Sequence, residues 1–257
     1  MHPVLFEIGG WPVYSYGVLL AAAYLAGLQM AVVRARHAGL DGAKVMDFGI
    51  YLIIAALVGA KLMLVVVDFN YFRQNPRELL SLARAGGVFY GGLIAAVVVG
   101  FWMVRKYQLP FWTTGDLMAP GIALGHVIGR MGCLMAGCCF GRPSSVPWAI
   151  TFTNPAAALN VGTPLGIPLH PTQLYDAGAE LLILVFLLVT ERRGKTFPGR
   201  TFFLYLLLYA ISRFIIEFYR GDDRGMVFNV LSTSQVVAAA IIPISLFMLW
   251  RFRARAR

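Results

Sequence analysis

Seven stretches of about 20 predominantly apolar residues constrain this chain more than any other feature of its sequence. They fall roughly at residues 13–33, 47–67, 86–104, 114–136, 172–190, 201–219 and 233–250. A helix of about 20 residues crosses the hydrocarbon core of a bilayer and satisfies its own backbone polar groups, as lipid requires. The pattern predicts an all-α polytopic membrane protein with seven transmembrane helices, forming a single transmembrane domain over residues 1–257.

The composition excludes the soluble alternatives. Hydrophobic residues make up 59% of the chain and charged residues 13%, against roughly 45–50% and 25% in soluble domains. The mean hydropathy is +0.71, so too little polar side chain remains to cover a water-soluble globule. The three cysteines all lie between residues 133 and 139, which is too local for a disulfide framework.

The net charge of +10 indicates topology rather than a nucleic-acid partner. Basic residues cluster at the ends of apolar stretches instead of forming one binding stripe. One set of connections, together with the C-terminal tail, carries Arg34, Arg36, Lys44, Arg105, Lys106, Arg192, Arg193, Lys195, Arg200, Arg251, Arg253, Arg255 and Arg257. The opposite side carries Arg73, Arg77, Arg84, Arg142, Arg220 and Arg224. Because cytoplasmic connections are the more basic ones, we expect the N-terminus outside and the C-terminus in the cytoplasm.

Two outer connections are longer than simple turns. Residues 68–85 combine charged and aromatic side chains and are expected to form an interfacial arm. Residues 138–171 are rich in Pro, Gly, Ser and Thr, which predicts a small irregular periplasmic cap. The N-terminus lacks a basic segment followed by a small-residue cleavage site, so no removable signal peptide is expected.

Charged residues inside apolar stretches are the strongest functional signal. Arg130 lies in the fourth stretch, one helical turn after His126. The sixth stretch presents one polar helix face, formed by Tyr209, Arg213, Glu217 and Arg220. An arginine at the bilayer centre costs roughly 2.5–3.5 kcal/mol on insertion scales, so it normally faces a protein interior or a cavity. One interpretation is a self-neutralising Arg213–Glu217 pair; the other, which we favour, is an anion site that uses both Arg130 and Arg213.

The segment HPTQLYDAGAE at 170–180 opens the fifth stretch. Gln173, Asp176 and Glu180 share a helix face that would otherwise meet lipid. They are expected either to hydrogen-bond neighbouring helices or to line the anion site. His170 is either a capping residue or a functional group.

The segment GRMGCLMAGCCFGR at 129–142 predicts a helix that ends near residue 137 and opens into a glycine-rich loop. Backbone N–H groups beside a guanidinium suit a phosphate ester. Packing is the first interpretation of Cys133, Cys138 and Cys139, and a redox pair is the second. A metal site with His126 or His170 is the third, but the C-x4-C-C spacing differs from common zinc sites, so no metal is expected.

Taken together, these segments resemble the bacterial prolipoprotein diacylglyceryl transferase family. The matching motifs are PVLFEIGGWPVYSYG at 3–17, GGVFYGGL at 86–93, GR-x-GC-x3-GCC-x-G at 129–141, HPTQLYD at 170–176 and R-x3-E-x2-R at 213–220. The resemblance implies a multi-pass enzyme of the bacterial inner membrane that needs no cofactor. It implies transfer of the sn-1,2-diacylglyceryl group of phosphatidylglycerol to the lipobox cysteine of a preprolipoprotein signal peptide, releasing glycerol 1-phosphate.

The family's functional residues are carried over position by position. Its two essential arginines correspond to Arg130 and Arg213, and its motif histidine to His170. The chain departs from the usual family pattern at four positions: Cys133 and Cys138 replace Asn and Glu, Tyr90 replaces His, and Lys61 replaces Arg. The expected substrate contacts are Tyr16, Lys61, Cys133, Cys138, Gly141, Gln173, Tyr209, Glu217 and Arg220.

The implied reaction is attack of a thiol on the C3 carbon of a glycerol phosphodiester. The acceptor supplies the nucleophile, so the enzyme has to bind the headgroup, stabilise the leaving phosphate and deprotonate the thiol. Arg130 and Arg213 suit the phosphate because guanidinium groups stay charged and grip it bidentately. For the base, imidazole is better matched to neutral pH than a phenol, so His170 is the stronger candidate and Tyr90 is expected to orient. A third possibility is that no residue acts as the base and that the positive charge of the arginines alone favours the thiolate.

Three other functions remain open at this point. A paralogue on the same scaffold would transfer a lipid moiety to a different acceptor, for example through a covalent intermediate on Cys138 or Cys139. A lipid or anion transporter would use the arginine site for binding only. A membrane thiol redox protein would use the cysteines themselves.

Overall fold

A computed structural model describes residues 1–83, 87–193, 197–222, 225–227 and 230–255. Within these residues, seven helices are long and apolar enough to cross a membrane. They are α1 (Ser15–His37), α2 (Gly42–Val67), α4 (Phe89–Lys106), α5 (Phe111–Ala136), α7 (Thr172–Arg193), α8 (Arg200–Ile216) and α9 (Thr233–Arg255). The predicted seven-span architecture is confirmed, whereas the orientation of the termini stays a prediction.

The helix boundaries differ from the apolar stretches where capping decides them. The second helix begins at Gly42, earlier than expected, because Asp41 Oδ1 accepts a hydrogen bond from Ala43 N at 2.9 Å. The first helix continues to His37, with Arg34 and Arg36 in its last turn. Cations there interact favourably with the helix dipole, and hydropathy does not detect this contribution.

The chain divides into two compact units, residues 1–31 with 115–257, and residues 32–114. In the second unit, α2 packs on α4 through small residues. A Cβ atom added at Gly59 would lie 2.6 Å from the backbone oxygen of Gly91, so only glycine permits this approach. The prediction of a single transmembrane domain is not tested by this division and stays a prediction.

The second unit also contains the connection expected to form an interfacial arm. It folds as α3 (Phe69–Gln74) followed by a 3-10 helix at Pro76–Ala83. The last two residues of the arm, 84 and 85, lie outside the described residues. Its location at the membrane interface stays a prediction.

The first unit opens with a hairpin of β1 (Val4–Ile8) and β2 (Trp11–Tyr14), paired antiparallel. Its core lies between α5, α7 and α8, formed by Ala119, Ala123, Ile183, Leu184, Leu187 and Tyr205. Within this unit α1 crosses α5 closely, because a Cβ at Gly27 would lie 2.5 Å from the oxygen of Gly121. These contacts fix α5, the helix that carries Arg130.

The beginning of α8 is held by a side chain from α5. Asp116 Oδ2 accepts from Gly199 N at 2.7 Å, and Asp116 Oδ1 accepts from Phe202 N at 2.9 Å. The first N–H groups of a helix have no intrahelical acceptor, so this carboxylate satisfies them and complements the dipole. It sets the position of α8, the helix that carries Arg213.

The connection between α5 and α7 is mostly irregular, as its composition predicts. It contains one short helix, α6 (Pro155–Val161), and a pair of two-residue strands, β3 (Ile150–Thr151) and β4 (Pro168–Leu169). Between α8 and α9 lie a 3-10 turn at Glu217–Tyr219 and a second strand pair, β5 (Met226–Val227) with β6 (Leu231–Ser232). That the first connection forms a periplasmic cap stays a prediction.

Candidate active site

Three arginines from separate segments converge on one carboxylate. Asp176 Oδ2 lies 3.2 Å from Arg130 Nε, 3.5 Å from Arg220 Nη1 and 3.8 Å from Arg213 Nη1. Arg130 belongs to α5 and Arg213 to α8, whereas Arg220 follows the 3-10 turn. Asp176 is only 5% exposed, and a buried carboxylate needs such partners. The two predicted arginines therefore meet at one point.

The Arg213–Glu217 pair considered from the sequence is also present. Arg213 Nη2 lies 2.5 Å from Glu217 Oε2, and both side chains are buried. Arg213 also donates from Nη2 to Ser234 Oγ at 3.3 Å. Because Arg213 stands between Asp176 and Glu217, the self-neutralising pair and the convergence of arginines coexist.

Arg220 is held in the cluster by a carboxylate close to it in the sequence. Its Nε and Nη2 atoms each donate to an Asp222 carboxylate oxygen at 2.8 Å, a bidentate arrangement. Burial alone would lower the pKa of Arg220, but the hydrogen bonds to Asp222 and the nearby Cys139 raise it above its usual value. The guanidinium therefore stays charged.

Two guanidinium nitrogens at the centre of the cluster have unused hydrogen-bonding capacity. Among the described residues, Arg213 Nη1 and Arg220 Nη1 are buried and have no hydrogen-bond acceptor, although both lie within ion-pair range of Asp176. Burying a donor without an acceptor is costly. An anionic ligand that supplied acceptor oxygens would recover that cost.

A second contact, between a histidine and a carboxylate, lies one helical turn from the Arg130–Asp176 ion pair. His126 Nδ1 lies 2.6 Å from Glu180 Oε1, and the Tyr205 hydroxyl lies 3.1 Å from the same nitrogen. Glu180 is buried, whereas 45% of the His126 side chain is exposed. Residues 126 and 130 on α5 thus face residues 180 and 176 on α7.

The loop after α5 is held tightly in place. Gly137 ends the helix with φ +87°, a conformation that favours glycine. Gly141 N donates to the His170 oxygen at 3.0 Å, and Arg142 N donates to the Tyr219 oxygen at 2.8 Å. A Cβ on Gly141 would collide with the backbone oxygen of His170. This explains the motif glycine, since the loop passes against both segments.

Side chains at the start of α7 secure the same loop. Gln173 Nε2 donates to the Cys138 oxygen at 2.7 Å, and Thr172 Oγ1 donates to the Cys139 oxygen at 2.7 Å. Gln173 is fully buried, so its observed contact is with the loop backbone. Its contact with substrate stays a prediction.

The three thiols lie together beside this loop. The sulfur atoms of Cys133, Cys138 and Cys139 all lie within 4.8 Å of one another, and the cysteines are free of disulfide bonds. Hydrogen bonds from the other two thiols and the positive Arg220 and Arg130 lower the pKa of Cys139. The pKa of Cys138 is raised because it donates in the same cluster. The C-x4-C-C spacing did not predict that the three sulfur atoms lie so close together. The absence of a metal stays a prediction.

Three further predicted residues, Tyr16, Tyr209 and His170, each have a described contact. A Cβ on Gly132, next to Cys133 in the chain, would lie 3.4 Å from the Tyr16 ring, so Tyr16 is adjacent to this part of α5. The Tyr209 ring lies 5.5 Å from that of His126, centroid to centroid. His170 Nδ1 lies 3.1 Å from the Tyr175 hydroxyl.

Two predicted residues belong to the other unit. Lys61 lies on α2 and Tyr90 at the start of α4. Tyr90 is 40% exposed, and Lys61 is intermediate in exposure. Their expected roles toward substrate stay predictions.

Sequence reasoning underestimated the central carboxylate. Asp176 was expected to hydrogen-bond neighbouring helices or to line the anion site, but its contact with three arginines was not foreseen. A signal was available: His126 and Arg130 are four residues apart in the fourth span, and Asp176 and Glu180 are four apart in the fifth. Consecutive antiparallel spans place such pairs opposite each other.

The fold and the site define a class of protein: a seven-span membrane protein with a buried cluster of arginines and carboxylates suited to an anionic ligand. The family model for prolipoprotein diacylglyceryl transferase matches residues 3–251, and the chain belongs to this family. This confirms the resemblance drawn from the five motifs.

Curated relatives with the corresponding name align with this chain over nearly their whole length. The phosphatidylglycerol–prolipoprotein diacylglyceryl transferase of Clostridium tetani is 37% identical over 98% of this chain and 99% of its own. That of Finegoldia magna is 32% identical over 94% of this chain and 92% of its own. That of Lactiplantibacillus plantarum is 30% identical over 98% of this chain and 89% of its own.

Proposed function

We propose that this protein transfers the diacylglyceryl group of phosphatidylglycerol to the cysteine thiol of a prolipoprotein in the bacterial inner membrane. The products are a thioether-linked lipid on the lipobox cysteine and glycerol 1-phosphate. Family membership and the names of the relatives support the activity. The convergence of Arg130, Arg213 and Arg220 supports the location of the headgroup phosphate.

The arginine cluster should stabilise the charge on the leaving phosphate more than the charge on the bound phosphatidylglycerol. The phosphodiester of phosphatidylglycerol carries one negative charge, and breaking its ester bond builds a second on the leaving phosphate. Guanidinium groups fixed before the reaction therefore stabilise the transition state more than the bound lipid. The Nη1 atoms of Arg213 and Arg220 have no hydrogen-bond acceptor in the part of the chain that the structure describes, so they are available as donors to the phosphate oxygens.

Asp176 has a role before the lipid binds. Three guanidinium groups in a buried site repel one another, and one shared carboxylate offsets that repulsion. When a phosphate enters, it supplies further negative charge to the same nitrogens. Asp176 therefore positions the arginines without taking part in bond making.

The acceptor thiol brings the nucleophile, so the enzyme requires none of its own. Its cysteines are accordingly assigned to the wall of the site, where Cys133 and Cys138 replace the family's usual Asn and Glu. Tyr16, Tyr209, Gly141 and Glu217 are assigned to shaping the headgroup site. For Lys61 on α2 and Tyr90 on α4, contact with the substrate stays a prediction.

The decisive experiment uses the purified full-length protein in lipid nanodiscs. Phosphatidylglycerol and a synthetic lipobox peptide should yield glycerol phosphate and a peptide heavier by one diacylglyceryl group, both measured by mass spectrometry. A variant with all three cysteines changed to serine should still form product, which separates this function from a thiol redox or covalent mechanism. Lipid movement without a modified peptide, or modification of a different acceptor only, would contradict the proposal.

A further inference from the structure

The His126–Glu180 pair is the strongest feature of the site that the proposed function leaves unused. Glu180 is 3% exposed, and its Oε1 atom lies 2.6 Å from His126 Nδ1. A carboxylate can only accept a hydrogen bond, so Nδ1 carries the proton in this contact. The other ring nitrogen, Nε2, then has its lone pair available to take a proton.

The exposure of the two side chains matches this arrangement. Glu180 is enclosed by protein, whereas 45% of the His126 side chain is accessible. Tyr205, also buried, places its hydroxyl 3.1 Å from Nδ1. One edge of the imidazole is thus anchored within the protein, and nearly half of the side chain remains accessible to an incoming group.

The distance from His126 to the phosphate site suits the reaction geometry. His126 and Arg130 are four residues apart on α5, which is about 6 Å along the helix axis. In a displacement at carbon, the attacking sulfur and the leaving oxygen lie on opposite sides of one atom. A base one turn from the arginine that holds the phosphate can therefore reach the thiol on the far side of that carbon.

His170, the base expected from the sequence, has a different environment. Its Nδ1 lies 3.1 Å from the Tyr175 hydroxyl, and its ring packs edge-on against Tyr219. A phenol hydroxyl stabilises a protonated imidazole less than a carboxylate does. The backbone oxygen of His170 meanwhile holds the loop at Gly141, which is a structural task.

We propose that His126 is the general base that deprotonates the acceptor thiol, and that Glu180 is the positioning residue that orients it. This inference rests on the proposed function. The S–H proton passes to Nε2, the sulfur bonds to glycerol C3, and the C3–O bond breaks with its electron pair remaining on the phosphate oxygen. The imidazolium, stabilised by Glu180, then releases the proton to the phosphate product or to water.

The test compares two acceptor peptides that differ only in the attacking atom. One carries the lipobox cysteine and the other carries selenocysteine, whose selenol is already ionised at neutral pH and needs no base. With the cysteine peptide, His126→Gln should lower kcat by about 10²–10⁴-fold, with little change in the KM for phosphatidylglycerol. With the selenocysteine peptide, the same variant should retain most of the wild-type rate.

Glu180→Gln keeps an oxygen that accepts from Nδ1 but removes the charge, so it should cause a smaller loss that selenocysteine also restores. His37→Gln is the matched control, because His37 is exposed and its Nδ1 contacts the oxygen of Val33 in its own helix. If His126→Gln folds poorly, as judged by its melting temperature, the rates of Glu180→Gln with the two peptides test the role of His126 instead.

Equal losses with both peptides would overturn the assignment of His126, as would wild-type kinetics in both variants. Failure of the wild-type protein with both peptides would instead refute the proposed function. The two failures are therefore distinguishable.

Discussion

The Nε atom of Arg130 lies 3.2 Å from the Oδ2 atom of Asp176, joining the fourth and fifth spans through a buried ion pair. The same oxygen faces Arg213 and Arg220. One short side chain thus brings together cations from three separate parts of the chain. Its removal should affect stability as well as activity.

Asp176→Asn should lower the free energy of unfolding by about 3–5 kcal/mol, because it leaves buried guanidinium charges without their shared partner. Thermal unfolding in detergent measures this as a lower melting temperature. Asp47→Asn is the control, since Asp47 is exposed and its Oδ2 atom accepts a hydrogen bond from the Tyr107 hydroxyl at 3.2 Å. Equal melting temperatures for the two variants would contradict the central role of Asp176.

Arg213→Lys should lose nearly all activity, on the order of 10²–10³-fold, because an ammonium replaces a fixed, multidentate donor in a buried site. Tyr90→Phe should keep a measurable part of the rate if Tyr90 orients substrate rather than deprotonating it. The lipobox-peptide assay measures both, with Arg105→Lys at the exposed end of α4 as the control. Complete loss in both Arg213→Lys and Tyr90→Phe would overturn this ranking.

Alkylation of Cys139 should depend weakly on pH. Hydrogen bonds from Cys133 and Cys138 and the charges of Arg220 and Arg130 lower its pKa. The reactive thiolate should therefore persist between about pH 8 and about pH 6, where an ordinary thiol of pKa about 8.5 becomes largely protonated. Peptide mapping after iodoacetamide treatment gives the rate at each cysteine.

The control for this prediction is a variant with alanine at positions 133 and 138. Without the two donor thiols, the alkylation of Cys139 should slow more steeply as the pH falls. Faster labelling of Cys138 than of Cys139 in the unmodified protein would show that the thiolate is held elsewhere.

Gly141→Ala should destabilise the loop, because the new Cβ would collide with His170 and lie 2.8 Å from the Tyr219 oxygen. Overpacking of this kind typically costs about 1–3 kcal/mol, and activity should fall with it. Gly178→Ala on α7 is the matched control, because its Cβ would meet nothing within 4 Å. Its melting temperature should stay the same or rise, since alanine favours a helix. A Gly141→Ala protein as stable as this control would contradict the close approach.

The seven spans could be predicted because hydrocarbon imposes a simple local requirement: about 20 apolar residues with internally satisfied backbone groups. Capping groups shifted the boundaries, as Asp41 does for α2. Such contributions depend on individual hydrogen bonds, which average hydropathy does not resolve.

The sequence also predicted that Arg130 and Arg213 are important, because a charged residue in an apolar stretch normally has a partner within the protein. The sequence did not predict which residue that partner is. Helical spacing places Asp176 and Glu180 on one face, but it does not say which arginine or histidine each one meets.

The sequence by itself therefore determined the class of fold, the family and the arginines at its centre, since these follow from local hydropathy, charge and motif. Only the tertiary structure decided that Asp176 gathers three arginines, that Glu180 binds His126, and that three thiols share one small volume. The physical reason is that hydropathy acts on each segment independently. An ion pair between spans instead depends on how helices rotate and cross, which the packing of Gly27 on Gly121 and the capping of α8 by Asp116 help to fix.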